Sequence, residues 1–221
     1  MKWTLLMRFA GPMQSWGTRS RFGYRDTEVV PSKSGVVGLL AAALGRKRSE
    51  TIVDLAQLRL GVRVDRAGVM QSDYHTALHA VRADGSANKA AVLSHRMYLA
   101  DAKFLVGVEG TDEMFLQEIH QALQNPYWPL ALGRRSFAPS EPVALLPPRD
   151  EEPLLGMQLE QALISYPPLA ASDEDARVRY FIEHPDGDST WLDQPLDNFE
   201  NRAFAPRSVR IVNAKWGESW F

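Results

Sequence analysis

The chain has 221 residues, 45% hydrophobic and 24% charged, which suits a soluble globular protein of one large or two small domains. It has no cysteine, so disulfides, thiolate zinc sites and a cysteine nucleophile are excluded. The net charge of −2 hides a division: residues 1–105 hold 16 of the 25 Lys+Arg but only 8 of the 27 Asp+Glu, so a polyanion partner is not excluded.

Residues 3–9 read as an apolar strand. A glycine-proline turn follows, Gly11-Pro-Met-Gln-Ser-Trp-Gly17, and then an arginine-aromatic stretch, Arg19-Ser-Arg-Phe-Gly-Tyr-Arg25. Pro31-Ser-Lys-Ser-Gly35 opens a helix over 36–44. That helix is apolar nearly all round, so it should lie buried between a sheet and another layer, with Gly38 allowing close approach. Residues 51–58 are a short helical candidate, and 60–66 alternate apolar and charged side chains at the period of a half-buried strand. Residues 73–95 are polar, small and basic, with Gly85 and Asn88 as turn formers. Strand character returns over 97–108. Thr111-Asp-Glu113 then caps an amphipathic helix with Phe115, Ile119, Ala122 and Leu123 on one face. Asp112 and Glu113 complement its dipole, and Asn125-Pro126 ends it. Further strands are expected over 143–146, 177–184 and 207–214.

The order is strand, helix, strand, strand, helix, strand, with an insertion. It predicts an α+β fold built on a split βαβ, ferredoxin-like unit. Pro147-Pro148, followed by Asp150-Glu-Glu152, marks a boundary between a palm over 1–148 and a β-rich C-terminal extension over 149–221 packed on it. The longest apolar run cannot span a bilayer and residues 3–9 are too short for a signal-peptide core. A soluble, cytoplasmic protein with no membrane partner is expected.

The candidate chemistry is cationic and aromatic. Arg19, Arg21 and Arg25 stand at short spacing around Phe22 and Tyr24. Arginine pairs bidentately with phosphate and stacks on bases, and an aromatic ring contributes roughly 1–3 kcal/mol per stacked base. Ser32, Lys33, Ser34 and Gly35 supply hydroxyls, an ammonium and free N–H groups at a helix start, where Ser32 or Ser34 also serves as cap. The segment is not a P-loop: Ser32 stands before Lys33 and no glycine lies upstream in register. Nucleotide hydrolysis is therefore not indicated. Gly133-Arg134-Arg135-Ser136-Phe137 places two cations after a glycine, one expected to meet ligand and the other to pair with an acid. These features together suit single-stranded nucleic acid. His75 and His79 are four apart, but Thr76 stands where a zincin motif needs glutamate, so neither metal nor other cofactor is expected. Tyr74, His75 and Lys103 offer a base, an acid and a cation for a metal-independent ribonuclease, which is the alternative reading. A pure protein-interaction scaffold is a third.

Several motifs recur in a recognisable order between residues 10 and 137. They are Ala10-Gly-Pro-Met-Gln-Ser-Trp-Gly17, Pro31-Ser-Lys-Ser-Gly-Val-Val-Gly-Leu-Leu-Ala-Ala-Ala-Leu-Gly45, Asp73-Tyr-His-Thr76, Arg96-Met-Tyr-Leu-Ala-Asp-Ala102 and Leu132-Gly-Arg-Arg-Ser-Phe137. In them the chain resembles the CasD family, RAMP-superfamily subunits of the type I-E CRISPR Cascade complex. The resemblance implies an RRM-type ferredoxin-like palm with a protruding β-hairpin arm at about 73–96. It also implies a non-catalytic role in antiviral defence, holding the 5′ handle of the CRISPR RNA and capping the backbone filament. The implied partners are CRISPR RNA, the CasC backbone and the large subunit CasA, with no obligate homo-oligomer. RNA contact is expected from Gln14, Trp16, Arg19, Arg21, Tyr24, Arg25, Lys33, Ser34, Gly35, Tyr74, His75, Arg96, Arg134 and Arg135. No catalytic residue is expected, because type I-E systems leave cleavage to the separate subunit CasE. Type I-C relatives process CRISPR RNA with a tyrosine-lysine-histidine set, and they are the basis of the ribonuclease alternative.

Overall fold

The computed structural model describes residues 1–221 apart from 21–22, 82–83, 87–89 and 172–176. The first half runs β1 (Trp3–Ala10), β2 (Met13–Gln14), β3 (Tyr24–Arg25), α1 (Lys33–Ala43), α2 (Val53–Ala56), β4 (Arg59–Arg66), β5 (Val69–Ala77), β6 (Val92–Ala100) and β7 (Lys103–Gly110). The second half runs α3 (Glu113–Gln124), β8 (Leu154–Leu155), α4 (Leu159–Ser165), β9 (Arg177–Glu183), β10 (Ser189–Pro195) and β11 (Phe204–Lys215).

A seven-stranded sheet in the order β10-β11-β9-β4-β7-β1-β8 forms the frame, and every pairing in it is antiparallel. Both faces are covered. Leu5, Met7 and Phe9 of β1 join Val62, Phe104 and Val106 beneath the first three helices, while Leu6, Leu105 and Tyr180 pack against Leu159 and Leu163 of α4. Burial on two sides explains why residues 3–9 read as continuously apolar and do not alternate. The amphipathic α3 is capped by Asp112, whose carboxylate accepts from Phe115 N at 3.1 Å. Ser32 caps α1, accepting from Gly35 N at 3.3 Å. That helix is apolar nearly all round because the sheet, α2 and α3 surround much of it, while Phe199 lies against Gly38.

Three expectations about elements change. The strand character over 97–108 is two strands, since Asp101 turns the chain at φ +56 between β6 and β7. Residues 143–146 form no strand; Ala144 makes a single bridge to Met7, and β8 pairs with β1 instead. The helical candidate over 51–58 shrinks to the four residues of α2. α4 and β10 carried no pattern strong enough to predict. The polar insertion becomes a hairpin, β5 against β6 in register from Val69↔Ala100 to Ala77↔Val92.

Strands β9 to β11 extend the sheet of the first half, through β4–β9 pairing from Gly61↔Ile182 to Val64↔Arg179. Acids of the second half neutralise cations of the first: Arg8 pairs with Asp150, Arg59 with Glu160, and Lys33 with Glu183 at 2.8 Å. Burial by itself pushes Glu160 up, but the hydrogen bond from Arg59, a backbone hydrogen bond and the Arg59 charge together outweigh it and leave the carboxyl below its ordinary value. A depressed carboxyl contributes stability above its unfolded pKa and loses it as pH falls through the folded one. Glu160→Gln is therefore expected to destabilise at pH 7, the gap to wild type closing below about pH 4. Denaturant midpoints at pH 7 and pH 3.5 check this, and an equal gap at both would contradict it.

Candidate nucleic-acid interface

The interface begins at the turn after Leu132. Leu132 N donates to Phe137 O at 2.8 Å, and Ser15 N donates to Leu132 O at 3.1 Å, which ties this turn to the one after β1. Gly133 adopts φ +90, and a Cβ there would lie 1.7 Å from Ser15 O. Only glycine fits. The turn aims Arg134 at the small sheet, where its Nη2 donates to Met97 O at 2.8 Å and Arg25 O at 3.4 Å. The guanidinium also sits over the Phe137 ring, 5.4 Å from its centroid.

The small sheet holds β5 along one side of β6, with β3 and β2 along the other. Residues opposite one another share a face. Tyr24, His95 and Tyr74 therefore form one row across three strands, with the Tyr74 and His95 rings 5.0 Å apart. Arg25, Arg96 and Asp73 form the next row on the opposite face, towards Arg134. Asp26 fixes the loop leading into β3. Burial pushes its carboxyl up, but hydrogen bonds from the Ser20 hydroxyl and from the N–H groups of Arg19 and Thr18 hold it below the ordinary value.

Between the 132–137 turn and the start of α1 lies a groove of about 330 Å³. Ser34 and Gly35 line it from the helix start, Arg25 and Arg134 from the small sheet and turn, and Arg48 and Arg202 from the far side. None of these four arginines has an ion-pair partner among the described residues, whereas Arg8, Arg59, Arg63 and Arg207 are all paired. Burial, and then repulsion from Arg96 and Arg25, loosens the hold of Arg134 on its proton. Asp26 also lines the groove but pairs with none of the four, so positive charge predominates there and favours an anionic ligand. Segment 197–202 closes the groove: Phe199 N and Glu200 N both donate to Arg48 O, and Ile52 N donates to Asp197 O at 2.7 Å. A wider groove of about 760 Å³ continues along α1, sharing Ser34, Gly35, Arg48, Gly133 and Phe199 with the first.

The fold brings together only part of the predicted set. Arg25, Ser34, Gly35 and Arg134 meet in the first groove, and exposed Arg135 lines the second. Tyr24 and Tyr74 are 54% and 56% exposed on the arm sheet, with His75 and Arg96 on its other face. Arg19 lines a separate depression beside Glu28 and Trp191. Arg21, with its neighbour Phe22, lies outside the described residues. Gln14 and Lys33 are corrections, being 0% and 2% exposed, and Trp16, though it lines the first groove, is only 1% exposed. The Gln14 amide donates to Phe9 O and Ala102 O, and Trp16 stacks on Phe9 with centroids 5.4 Å apart. Burial lowers the Lys33 ammonium, which Glu183 holds in an internal pair. Neither Arg134 nor Arg135 pairs with an acid among the described residues; the pair sits in a turn, not on a strand. Arg48 and Arg202 were missed. Arg202 stands in an acidic stretch at φ +48, with no local signal to single it out.

The family model described as CRISPR-associated protein (Cas_Cas5) matches residues 4–210. This chain is a member of that family. The Escherichia coli (strain K12) protein named CRISPR system Cascade subunit CasD is 34% identical over 229 residues, covering 96% of each chain. A solved structure described as a Cas protein superposes with a TM-score of 0.79 at 44% identity, covering 96% of this chain and 95% of the other. A chain from a CRISPR RNA-guided surveillance complex does so with a TM-score of 0.77 at 33% identity, over 96% and 90%.

In this Cas5-family chain the alternative catalytic set does not assemble. Tyr74 and His75 are neighbours on β5 and so face opposite ways. Lys103, on the large sheet, is held by Glu141 at 2.6 Å. His75 and His79 share no helix: His75 is in β5, and His79 follows it at φ +54. Among the described residues, no group of three metal-ligating side chains comes together. Among the described residues, no helix is long and apolar enough to cross a membrane.

Proposed function

We propose that the chain is the RNA-holding subunit of a type I-E Cascade complex, gripping the 5′ handle of CRISPR RNA and capping the backbone without cutting. One observation carries this reading: Arg25, Arg48, Arg134 and Arg202 converge beside the start of α1 with no paired carboxylate. The similarity to a Cascade subunit and to a chain of an RNA-guided surveillance complex supports it. On this reading its neighbours are CasC and CasA, and it works in the cytoplasm. The strand order β8-β1-β7-β4, with α1 and α3 on one face, supports a ferredoxin-like palm. Residues 149–221 are then an extension whose strands lengthen that palm's sheet. The ribonuclease reading is less favoured, because its three side chains point apart.

Four phosphate contacts on a single strand predict that log K falls with log salt at a slope of about −3. Filter binding of repeat-derived RNA to the purified full chain measures it, and a slope near zero would remove the groove from the reading. The same RNA in EDTA is expected to stay intact. Cleavage that His75→Ala abolishes would move the assignment to a nuclease.

A further inference from the structure

Strand β10 is an outermost strand of the seven-stranded sheet and pairs only with β11. The main-chain groups it turns outward follow from the register. Ser208 O accepts from His184 N at 3.1 Å, so Ser208 faces the β9 side and its neighbours Arg207 and Val209 face β10. Ile211 N, which donates to Asp188 Oδ1, points the same way. Trp191 and Ser189, opposite Arg207 and Val209, therefore spend their main-chain groups on β11. Thr190 and Leu192 turn their N–H groups outward, and no described residue bonds to them.

Edge strands are ordinarily guarded by charge, proline or a bulge. In β10 the bulge comes after Leu192 and Pro195 ends the strand. Its one charged side chain, Asp193, is turned inward, accepting from Lys33 N and Arg207. Ser189-Thr-Trp-Leu192 carries no such guard, and Leu192 is 61% exposed. A depression of about 340 Å³ runs beside these residues, walled on its other side by Thr18, Arg19 and Glu28. Glu28 accepts from Thr18 Oγ1 at 2.6 Å, so its carboxylate is engaged within the loop. Arg19 is anchored through its backbone N–H to Asp26, while its exposed guanidinium has no partner among the described residues.

Resting on the reading of the chain as one subunit of a larger assembly, we infer that the β10 border accepts an extended segment of a neighbouring protein subunit as a further strand. An acidic side chain of that segment answers Arg19, and exposed Leu192 offers it an apolar contact. Main-chain chemistry decides between protein and RNA. A sheet border presents carbonyls alternating with N–H groups, and a phosphodiester, which only accepts, cannot answer the carbonyls. The depression also sets one cation beside one acid, whereas the first groove gathers four arginines.

Amide hydrogen exchange resolved to single residues tests this, on the full chain with RNA and on the same chain assembled with the other Cascade subunits. Assembly is expected to slow Thr190 and Leu192 about a hundredfold and to leave Trp191, already bonded to β11, unchanged. Thr190→Pro removes an outward N–H, at a place where an edge strand tolerates proline. It should keep the wild-type denaturant midpoint and RNA affinity but weaken capture by the other subunits about tenfold, the loss of one or two hydrogen bonds. Arg19→Glu should do the same. Equal exchange at Thr190 and Leu192 before and after assembly would overturn the inference. So would slowing by RNA alone, which assigns the border to RNA, or slowing that grows with concentration of the isolated chain, which assigns it to a second copy. Failure of the assembly reading looks different: the wild-type chain would capture no other subunit, and this inference would fall with it.

Discussion

Gly133→Ala is expected to cost about 3 kcal/mol of stability or more and to strip RNA from the protein. A methyl group 1.7 Å from Ser15 O cannot be accommodated, because its neighbour is backbone and φ is +90. Relief requires the turn over 132–137 to part from the loop after β1. That movement takes Arg134 away from Met97 O and Arg25 O, and so dismantles one wall of the groove. Gly38→Ala is the matched control. Its Cβ would lie 3.7 Å from Phe199 Cζ, an ordinary contact inside a helix. Alanine there should stabilise by about 0.5–1 kcal/mol. Denaturant midpoints and RNA retention measured on both variants check the pair. A Gly133→Ala protein as stable as wild type would show that the turn is not clamped against Ser15.

Replacing Arg48 and Arg202 together by glutamate should weaken RNA binding about a hundredfold and flatten the salt slope by about two contacts. Both side chains are exposed and make no hydrogen bond or ion pair among the described residues, so stability should change by less than about 0.5 kcal/mol. The two readouts together separate a ligand contact from a structural one. Unchanged RNA affinity with unchanged stability would place the strand elsewhere.

The central sheet and its two long helices were legible because their signals are local. The capping acid before α3 and the apolar run of β1 are written in consecutive residues. The interface was legible only in part. Gln14, Trp16 and Lys33 have the chemistry of RNA contacts, but their sequence neighbours do not reveal that β1, β9 and β10 close over them. Lys33 meets Glu183 and Asp193, which lie 150 and 160 residues away in the chain. Arg48 and Arg202 present the converse case. Nothing near either one marks it, and only the backbone bonds between 197–200 and 48–52 set them side by side. The charge division between the halves misled in the same way. Part of it is consumed inside the fold by Arg8, Arg59 and Lys33, and two of the four groove arginines, Arg134 and Arg202, come from the acidic half.

The aromatic row and the arginine row of the small sheet look in opposite directions, a fact that constrains the path of any bound strand. A polynucleotide with a phosphate on Arg25 and a base on Tyr24 must pass around the outer border of β3, reversing which side of the sheet it follows within about one nucleotide step. A duplex is too stiff for such a turn, whereas a lone strand makes it by giving up one stacking contact. The hairpin would thus favour unpaired RNA through curvature alone, before any base edge is read.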